Sequence, residues 1–163
     1  MQLFFLRHGI AEDAFNGMTD DERALTDEGR TQLEHIGAAL QRLGLRPTTI
    51  LHSPLVRCQQ TAELLQPFIG GTLTMAYELR PGCSFDQLRR LVKDLKGKQT
   101  LIVGHAPDMG DLAARLMGAG LGVIHVKKAG LLRVDYNGKP DYGTGELRYA
   151  LTPDQLVLIG NAT

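Results

Sequence analysis

The sequence LFFLRHG, at residues 3–9, is the clearest indication of the fold. Its four consecutive apolar residues, Leu3–Leu6, are typical of a short strand buried on both faces, because successive side chains of a strand point to opposite faces of the sheet. Arg7 is the first polar residue of the stretch, so we expect the strand to end there. Arg7 and His8 therefore follow the end of a buried strand.

Outward from this strand, helices and strands alternate along the chain. Apolar residues at helical spacing predict a helix over 30–43 that ends at Gly44. After a strand at 48–52, Ser53 is predicted to cap the second helix. The remaining predicted elements are strands at 72–76 and 100–103, helices that open at 84–87 and after 107, and a terminal hairpin of 131–136 with 146–151.

This alternation predicts an α/β fold. The expected architecture is a three-layer sandwich, with a mostly parallel sheet, helices on both of its faces and an antiparallel C-terminal hairpin. The chain has 163 residues and no internal repeat or linker-like segment, so a single domain is expected over residues 1–163. A chain of this length buries enough apolar surface to fold without a disulfide or a metal.

The overall charge excludes broad electrostatic binding to polyanions. The 18 Lys and Arg residues balance the 18 Asp and Glu residues, so no net field draws the chain onto nucleic acid or an anionic membrane. The apolar run Leu3–Leu6 is too short for a signal peptide or a membrane span. Cys58 and Cys83 form no Cys-x-x-Cys pair and are interpreted as reduced thiols. We expect a cytoplasmic monomer that binds neither nucleic acid nor membrane.

Two arginines and two histidines follow strand ends. Arg7 and His8 follow the first strand, Arg57 lies in the first turn of the second helix, and His105 follows the strand at 100–103. Ligands of open α/β sheets bind outside the carboxyl ends of the strands, so these four side chains are expected to converge. Two guanidiniums beside helix N-termini suit a small dianion such as phosphate.

A phosphate pocket that contains histidines indicates phosphoryl transfer. Arginines stabilise the charge that lies on the equatorial oxygens of the transition state. A neutral imidazole is a competent nucleophile near pH 7 and can form a covalent intermediate. His8, beside Gly9, is the candidate nucleophile.

The motifs also resemble those of a known family. Leu6–Gly9 resembles the signature of the histidine phosphatase superfamily, which includes the phosphoglycerate mutases. Ser53–Ala62 resembles its second arginine segment, Val103–Pro107 its second histidine segment and Thr26–Gly29 a further landmark. The resemblance spans nearly the whole chain and is nearest to the SixA-type phosphohistidine phosphatases, which are similarly short.

The resemblance implies a role for each of the four side chains. His8 would be the nucleophile that becomes phosphorylated, while Arg7, Arg57 and His105 would bind the phosphoryl group. No metal or other cofactor is implied, and the implied partner is a phosphohistidine-bearing protein such as a phosphotransfer domain. Longer family members insert a cap over the site. Here only Tyr77–Cys83 separates the third strand from its helix, so a protein substrate would have access.

Glu78 is the candidate general acid. Mutase-like members use a carboxylate after the third strand, and Glu78 is the nearest match, although an ion pair with an arginine would account for it equally well. Glu12 and Asp108 stay open as proton donors. A phosphohistidine substrate needs less help from an acid, because imidazole is a far weaker base than an alkoxide.

Other polar patterns are given no chemistry. Cys83 and Arg89 have the Cys-x5-Arg spacing of tyrosine phosphatases, but the residues between them, Asp86 included, are unsuitable for a loop that wraps phosphate. An acidic stretch is interpreted as a solvated face; it comprises Glu12, Asp13, Asp20, Asp21 and Glu22. The remaining histidines are interpreted as packed or solvated residues; they are His35, His52 and His125.

Three other functions stay open at this point. A small-molecule phosphomonoesterase would use the same four residues, and a substrate panel would separate it from a protein phosphatase. A catalytically silent phosphate-binding module would need only the cations, so His8 argues against it. An isomerase of the mutase type is disfavoured by the missing cap insertion.

Overall fold

The computed structural model describes residues 1–15 and 17–162. The strands in this part of the chain are β1 (Gln2–Arg7), β2 (Thr49–His52), β3 (Thr72–Met75), β4 (Gln99–Gly104), β5 (Leu131–Tyr136) and β6 (Gly145–Leu151). The α-helices are α1 (Asp27–Arg42), α2 (Val56–Ile69), α3 (Phe85–Val92), α4 (Asp108–Leu116) and α5 (Pro153–Gly160).

The strands form one sheet in the order β3-β2-β4-β1-β5-β6. The first four strands of the chain run parallel to one another. Strand β5 runs antiparallel to β1, and β6 runs antiparallel to β5. Helices α1, α2 and α5 pack on one face of the sheet, and α3 and α4 pack on the other. The predicted α/β three-layer sandwich with an antiparallel C-terminal hairpin is confirmed.

The four central residues of β1, Leu3–Leu6, are all apolar. Phe4 and Leu6 pack into the core beneath α1, α2 and α5, while Leu3 and Phe5 pack into the core beneath α3 and α4. Its neighbours are β4, which is parallel, and β5, which is antiparallel, so both edges of β1 are also paired. The apolar run of β1 therefore suits a strand that is buried on both faces.

The starts of α1 and α2 are capped differently. Helix α1 begins at Asp27, directly after Thr26, whose side chain accepts a hydrogen bond from the Gly29 amide at 3.0 Å. The prediction that Ser53 caps α2 is wrong. Leu55 is the N-cap residue there, and its side chain has no atom that could accept a hydrogen bond. The Ser53 hydroxyl lies 3.4 Å from the Leu55 amide, before the helix, and 2.9 Å from His105 Nε2.

Helix α5 was missed by the sequence analysis. Its start carries a capping box, in which Thr152 and Gln155 bond each other's backbone amides, and Leu156 is buried in the core. The helix packs so closely on α1 that a Cβ at Gly160 would overlap the carbonyl oxygen of His35. This packing stabilises a helix of eight residues that would be marginal in isolation.

The parallel strands end at a common edge of the sheet. The carboxyl ends of β1, β2, β3 and β4 meet there, and β5 begins there because Leu131 pairs with Leu6. The segments that follow these strands consequently lie close together. None of the helices described is both long enough and apolar enough to cross a membrane.

Candidate active site

The structure brings Arg7, His8, Arg57 and His105 together at the carboxyl edge. The His8 amide donates to the carbonyl of Gly104, at 3.0 Å, so β4 fixes the backbone just beyond β1. The first turn of α2 carries Arg57, whose Nε lies 3.3 Å from His8 Nε2. The rings of His8 and His105 are 5.4 Å apart, centroid to centroid.

The hydrogen bonds of His8 define its tautomer. Its Nδ1 lies 2.7 Å from the carbonyl oxygen of Gly9, and a carbonyl oxygen can only accept, so Nδ1 carries the proton. Nε2 is then the unprotonated nitrogen, and its lone pair faces the pocket beside Arg57. This is the arrangement that a nucleophilic imidazole requires.

Gly9 is required by close packing. A Cβ at this position would lie 2.8 Å from Leu33 Cδ1 on α1. The Gly9 amide donates to the Thr61 hydroxyl at 3.1 Å, and that hydroxyl donates to the carbonyl of Arg57 at 2.7 Å. The loop that carries His8 is thereby tied to the helix that carries Arg57.

Both histidines of the pocket are neutral at pH 7. Burial, together with the positive charges of Arg57 and Arg7, lowers the pKa of His8 to about 3, although the Gly9 hydrogen bond opposes the shift. Burial and Arg57 lower the pKa of His105 to about 4. Nε2 of His8 therefore stays free of a proton well below neutral pH.

These shifts predict that the fold loses stability as the pH falls. Between pH 6.5, the ordinary pKa of histidine, and about pH 4, His8 and His105 bind protons in the unfolded chain but not in the folded one. The free energy of unfolding therefore rises with pH in this window, by about 1.4 kcal/mol per pH unit for each such proton. Urea unfolding of the wild type at a series of pH values measures this slope.

A variant tests whether His8 causes part of the slope. His8→Asn removes one titrating group. The slope of its unfolding free energy against pH should therefore be smaller than that of the wild type, by at most the contribution of one proton. His35→Asn, at an exposed position of α1 outside the pocket, is the matched control for replacing a histidine by asparagine. Equal slopes for the wild type and His8→Asn would contradict the assignment.

One nitrogen of the Arg7 guanidinium, Nε, is buried without a hydrogen-bond partner in the described part of the chain. Its Nη1 donates to the carbonyl of Val126 at 3.0 Å, whereas its buried Nε has no hydrogen-bond partner among the described residues. Burial and Arg57 lower the pKa of Arg7. An acceptor oxygen from a bound anion would satisfy this donor, as a buried N–H requires.

Ser53 is a site residue that the sequence analysis missed. Its hydroxyl lies 2.9 Å from His105 Nε2, and the Cys58 thiol lies 3.6 Å from the same nitrogen. Burial raises the pKa of Cys58 to about 12, so this thiol stays protonated. The position of Ser53 directly after β2, at the carboxyl edge, was the available signal.

Comparison with known proteins identifies the family. A sequence model described as the histidine phosphatase superfamily (branch 1) matches residues 3–81, which include Arg7, His8 and Arg57. An uncharacterized protein of Picosynechococcus sp. is 34% identical over 81% of this chain and 83% of its own length. The chain belongs to the histidine phosphatase superfamily.

Several named phosphatases share parts of the sequence or the fold. The mitochondrial serine/threonine-protein phosphatase Pgam5 of Drosophila mojavensis is 38% identical over 39% of this chain, which matches only 21% of the Pgam5 length. The protein histidine phosphatase SixA, solved with tungstate, has a TM-score of 0.83 at 23% identity, over 96% of this chain and 99% of SixA. A mycobacterial glucosyl-3-phosphoglycerate phosphatase has a TM-score of 0.71 at 17% identity, over 93% and 98% of the two chains.

Glu78 is not brought into contact with the four residues of this histidine phosphatase site. It is exposed on a short 3-10 turn at Tyr77–Leu79, and among the described residues it makes no hydrogen bond or ion pair. Of the other carboxylates considered, Glu12 is exposed, and Asp108 accepts hydrogen bonds from the amides of Gly82 and Cys83. The acid role of Glu78 stays a prediction.

The alternative cysteine site is unsuited to catalysis. Burial, reinforced by the negative charges of Asp108 and Glu78, raises the pKa of the Cys83 thiol to about 12. Arg89 forms ion pairs with Asp86 and Asp141. A nucleophilic cysteine needs a lowered pKa, so the Cys-x5-Arg spacing does not provide one here.

One acidic residue reaches the site although the acidic stretch was interpreted as a solvated face. Asp20 contacts Arg57 through two groups: Arg57 Nη1 donates to its carbonyl at 2.6 Å, and Nη2 donates to its carboxylate at 2.8 Å. Asp20 is 55% exposed, as a solvated face implies, but it also binds a residue of the site, which the interpretation did not include. In the described part of the chain, no three His, Cys, Asp or Glu side chains are grouped so as to hold a metal ion.

Proposed function

We propose that this chain is a metal-independent phosphatase that removes phosphate from phosphohistidine in a protein, through a phosphorylated His8. The observation that carries the proposal is the state of His8: a buried, neutral imidazole whose unprotonated Nε2 lies 3.3 Å from the Arg57 guanidinium, with the His105 ring 5.4 Å from its own and the charge of Arg7 near enough to lower its pKa. Arg7, Arg57 and His105 would hold the phosphoryl oxygens. This combination supplies both a nucleophile and the charge that a transferring phosphoryl group needs.

The reaction would proceed in two displacements. In the first, the lone pair of His8 Nε2 attacks phosphorus, the P–N bond to the substrate imidazole breaks, and that imidazole takes up a proton. In the second, water attacks phosphorus, the P–N bond to His8 breaks, and inorganic phosphate leaves. The arginines would stabilise the charge on the equatorial oxygens in both steps. The Nδ1 hydrogen bond to Gly9 would keep Nε2 as the reacting nitrogen throughout.

Phosphohistidine is favoured over phosphate esters by the leaving group. Glu78, the candidate acid, makes no contact with the four site residues in the described structure. An alkoxide would need a well-placed acid, whereas imidazole is a much weaker base and can take its proton from solvent water. The site is therefore better suited to breaking a P–N bond than a P–O bond.

Exposed apolar side chains on three of the connecting segments support a protein as the substrate. They lie on the segments that follow β1 and β3 and on the segment between α4 and β5, and we call them the apolar rim: Phe15 (65% exposed), Tyr77 (70%), Leu121 (66%) and Val123 (62%). Large exposed apolar groups are typical of protein-binding surfaces. The likeness in fold to the protein histidine phosphatase SixA is in accord with such a partner. The two free, buried thiols fit the cytoplasmic location that we propose.

The apolar rim gives a testable prediction. Replacing Tyr77 and Leu121 together by serine should lower kcat/KM for a histidine-phosphorylated carrier protein by roughly tenfold, because each truncated contact costs about 0.5 to 1 kcal/mol of docking. Hydrolysis of p-nitrophenyl phosphate should be unchanged, since this ester reaches only the pocket. Steady-state kinetics with both substrates measure the difference.

A matched control separates docking from general loss of apolar surface. Leu158 is 72% exposed on α5, beside α1, so Leu158→Ser should change neither activity. If the double variant acts on the carrier as fast as the wild type, the apolar rim does not bind the substrate.

A substrate panel tests the proposed function itself. The wild type should release phosphate faster from a histidine-phosphorylated carrier than from p-nitrophenyl phosphate or sugar phosphates, and EDTA should have no effect. Turnover of the small esters alone would identify a small-molecule phosphatase, in line with the fold likeness to the mycobacterial sugar phosphatase. Phosphate binding without turnover would indicate a silent module, and transfer of phosphate between carbons of one product would indicate a mutase.

A further inference from the structure

Asp20 binds Arg57 through nitrogens other than the one that points at His8. The Arg57 side chain is only 5% exposed, and its terminal nitrogens, Nη1 and Nη2, both donate to Asp20. Its Nε points instead at His8 Nε2, 3.3 Å away. The guanidinium is thus fixed between a carboxylate and the candidate nucleophile.

Asp20 and His8 face different edges of the Arg57 guanidinium. A guanidinium presents two pairs of N–H groups to planar acceptors: an end pair from Nη1 and Nη2, and a side pair from Nε and Nη2. Asp20 occupies the end pair of Arg57, through its carbonyl and its carboxylate. The side pair faces His8, where a phosphoryl group on Nε2 would lie. Asp20 can therefore hold Arg57 without taking the edge that the phosphoryl oxygens need.

Asp20 is itself firmly held. Arg23 Nη1 donates to the second carboxylate oxygen of Asp20 at 2.8 Å, and Arg23 Nε donates to the carbonyl of Glu12 at 2.6 Å. Asp20 opens a short 3-10 turn in which Thr19 and Glu22 form a capping box. Hydrogen bonds from Arg57 and Arg23 lower the pKa of Asp20, so its carboxylate stays charged. These contacts fix the position of the carboxylate that binds Arg57.

We infer that Asp20 is a positioning residue, which orients Arg57 so that its side pair of N–H groups meets the phosphoryl group during transfer to and from His8. The inference rests on the proposed reaction through His8 and adds a residue that acts through Arg57. When Asp20 is replaced by alanine, Arg57 keeps its charge and its bond to the backbone carbonyl of residue 20, but it loses the carboxylate that fixes Nη2 and, with it, the plane of the guanidinium. Orientation of such a group affects the transition state more than the bound ground state.

The test uses a substrate that needs no docking surface. Phosphoramidate carries a single P–N bond, so its hydrolysis reports on the pocket alone. Asp20→Ala should lower kcat for phosphoramidate by roughly 10- to 100-fold with a much smaller change in KM, while Asp20→Asn, which keeps an acceptor oxygen, should recover part of the loss. Asp21→Ala is the matched control, because Asp21 belongs to the same turn but pairs with Arg80; its kinetics should match the wild type.

A double variant distinguishes positioning from a general structural effect. If Asp20 acts through Arg57, Asp20→Ala should have almost no further effect on kcat in an Arg57→Ala background. Multiplicative losses, or a loss shared equally by Asp21→Ala, would overturn the inference.

Orthovanadate binding keeps the inference testable even if phosphoramidate is not hydrolysed. Vanadate resembles the phosphoryl group in transfer, so Asp20→Ala should weaken its binding roughly tenfold in calorimetry, since a disordered donor contributes less. Tighter vanadate binding would show that Asp20 competes with the anion for Arg57 and would overturn the inference. If the wild type binds vanadate but does not hydrolyse phosphoramidate, the proposed reaction is refuted. The vanadate affinities of the wild type and Asp20→Ala then decide whether Asp20 positions Arg57.

Discussion

Replacement of His8 by alanine is expected to abolish turnover of every phosphorylated substrate. The loss should be on the order of 10⁴-fold or more, because the variant has no group that can form the covalent intermediate. The reaction requires the Nε2 lone pair of His8, which the Nδ1 bond to Gly9 orients, and alanine removes the ring that supplies both while the chain keeps its two arginines. Phosphate release from a histidine-phosphorylated carrier, followed to long times, measures the residual rate.

His52 provides a matched control for this variant. It is also a buried histidine at the end of a strand, 5% exposed, with its Nδ1 bonded to a backbone carbonyl, that of Ser53, at 3.0 Å. His52→Ala should therefore cost folding stability as His8→Ala does, but keep turnover within a few-fold of the wild type. Wild-type rates for His8→Ala would rule out His8 as the nucleophile.

Replacement of Arg57 has the second largest expected effect. Arg57→Ala should lower kcat by roughly 10²- to 10³-fold, the cost of removing one aligned donor group from a transition state. Arg57→Lys should recover little of this, because an ammonium keeps the charge but cannot bond Asp20 on one edge and face His8 with the other. Pre-steady-state kinetics of both variants, with the carrier protein as substrate, measure the loss in the transfer step.

Arg80 is the control for the loss of an arginine near the site. It is exposed and pairs with Asp21, so Arg80→Ala should change kcat only a few-fold. Full activity in Arg57→Lys would contradict the argument that the guanidinium shape matters, and full activity in Arg57→Ala would remove Arg57 from the site altogether.

The parts of the fold that could be predicted from the sequence are those with strong local patterns. The run Leu3–Leu6 is apolar throughout because β1 is buried on both faces, whereas a strand with one solvated face would alternate apolar and polar residues. The strand ends then located Arg7, His8 and His105 at the carboxyl edge. Because parallel strands end together, sequence positions alone were enough to place these residues near one another.

Helix α5 was missed because its own pattern is weak. It has eight residues, and only Pro153 and Leu156 of them are buried. The capping residues Thr152 and Gln155 were a local signal that could have indicated a helix start. What stabilises the helix, its close packing on α1 at Gly160, depends on residues more than a hundred positions away in the chain.

The site contacts of Ser53 and Asp20 were missed for a different reason. Serine before proline is typical of a helix cap, and the same hydroxyl can equally bond a histidine, so residue type does not separate the two uses of Ser53. Asp20 lies in a stretch whose charges resemble a solvated face, and it is 55% exposed. Its bond to Arg57 joins residues 37 positions apart, and no local pattern predicts such a pair.

A rapid-quench search for phosphorylated His8 is the sharpest test of the proposed reaction. Wild-type protein is mixed with a histidine-phosphorylated carrier in the presence of EDTA, quenched in base within milliseconds, digested and analysed by mass spectrometry. We predict an acid-labile phosphoryl group on His8 that appears before phosphate is released and is absent from His8→Ala. Phosphate release by the wild type with no phosphorylated His8 at any time, or with the group on another residue, would contradict a reaction through His8.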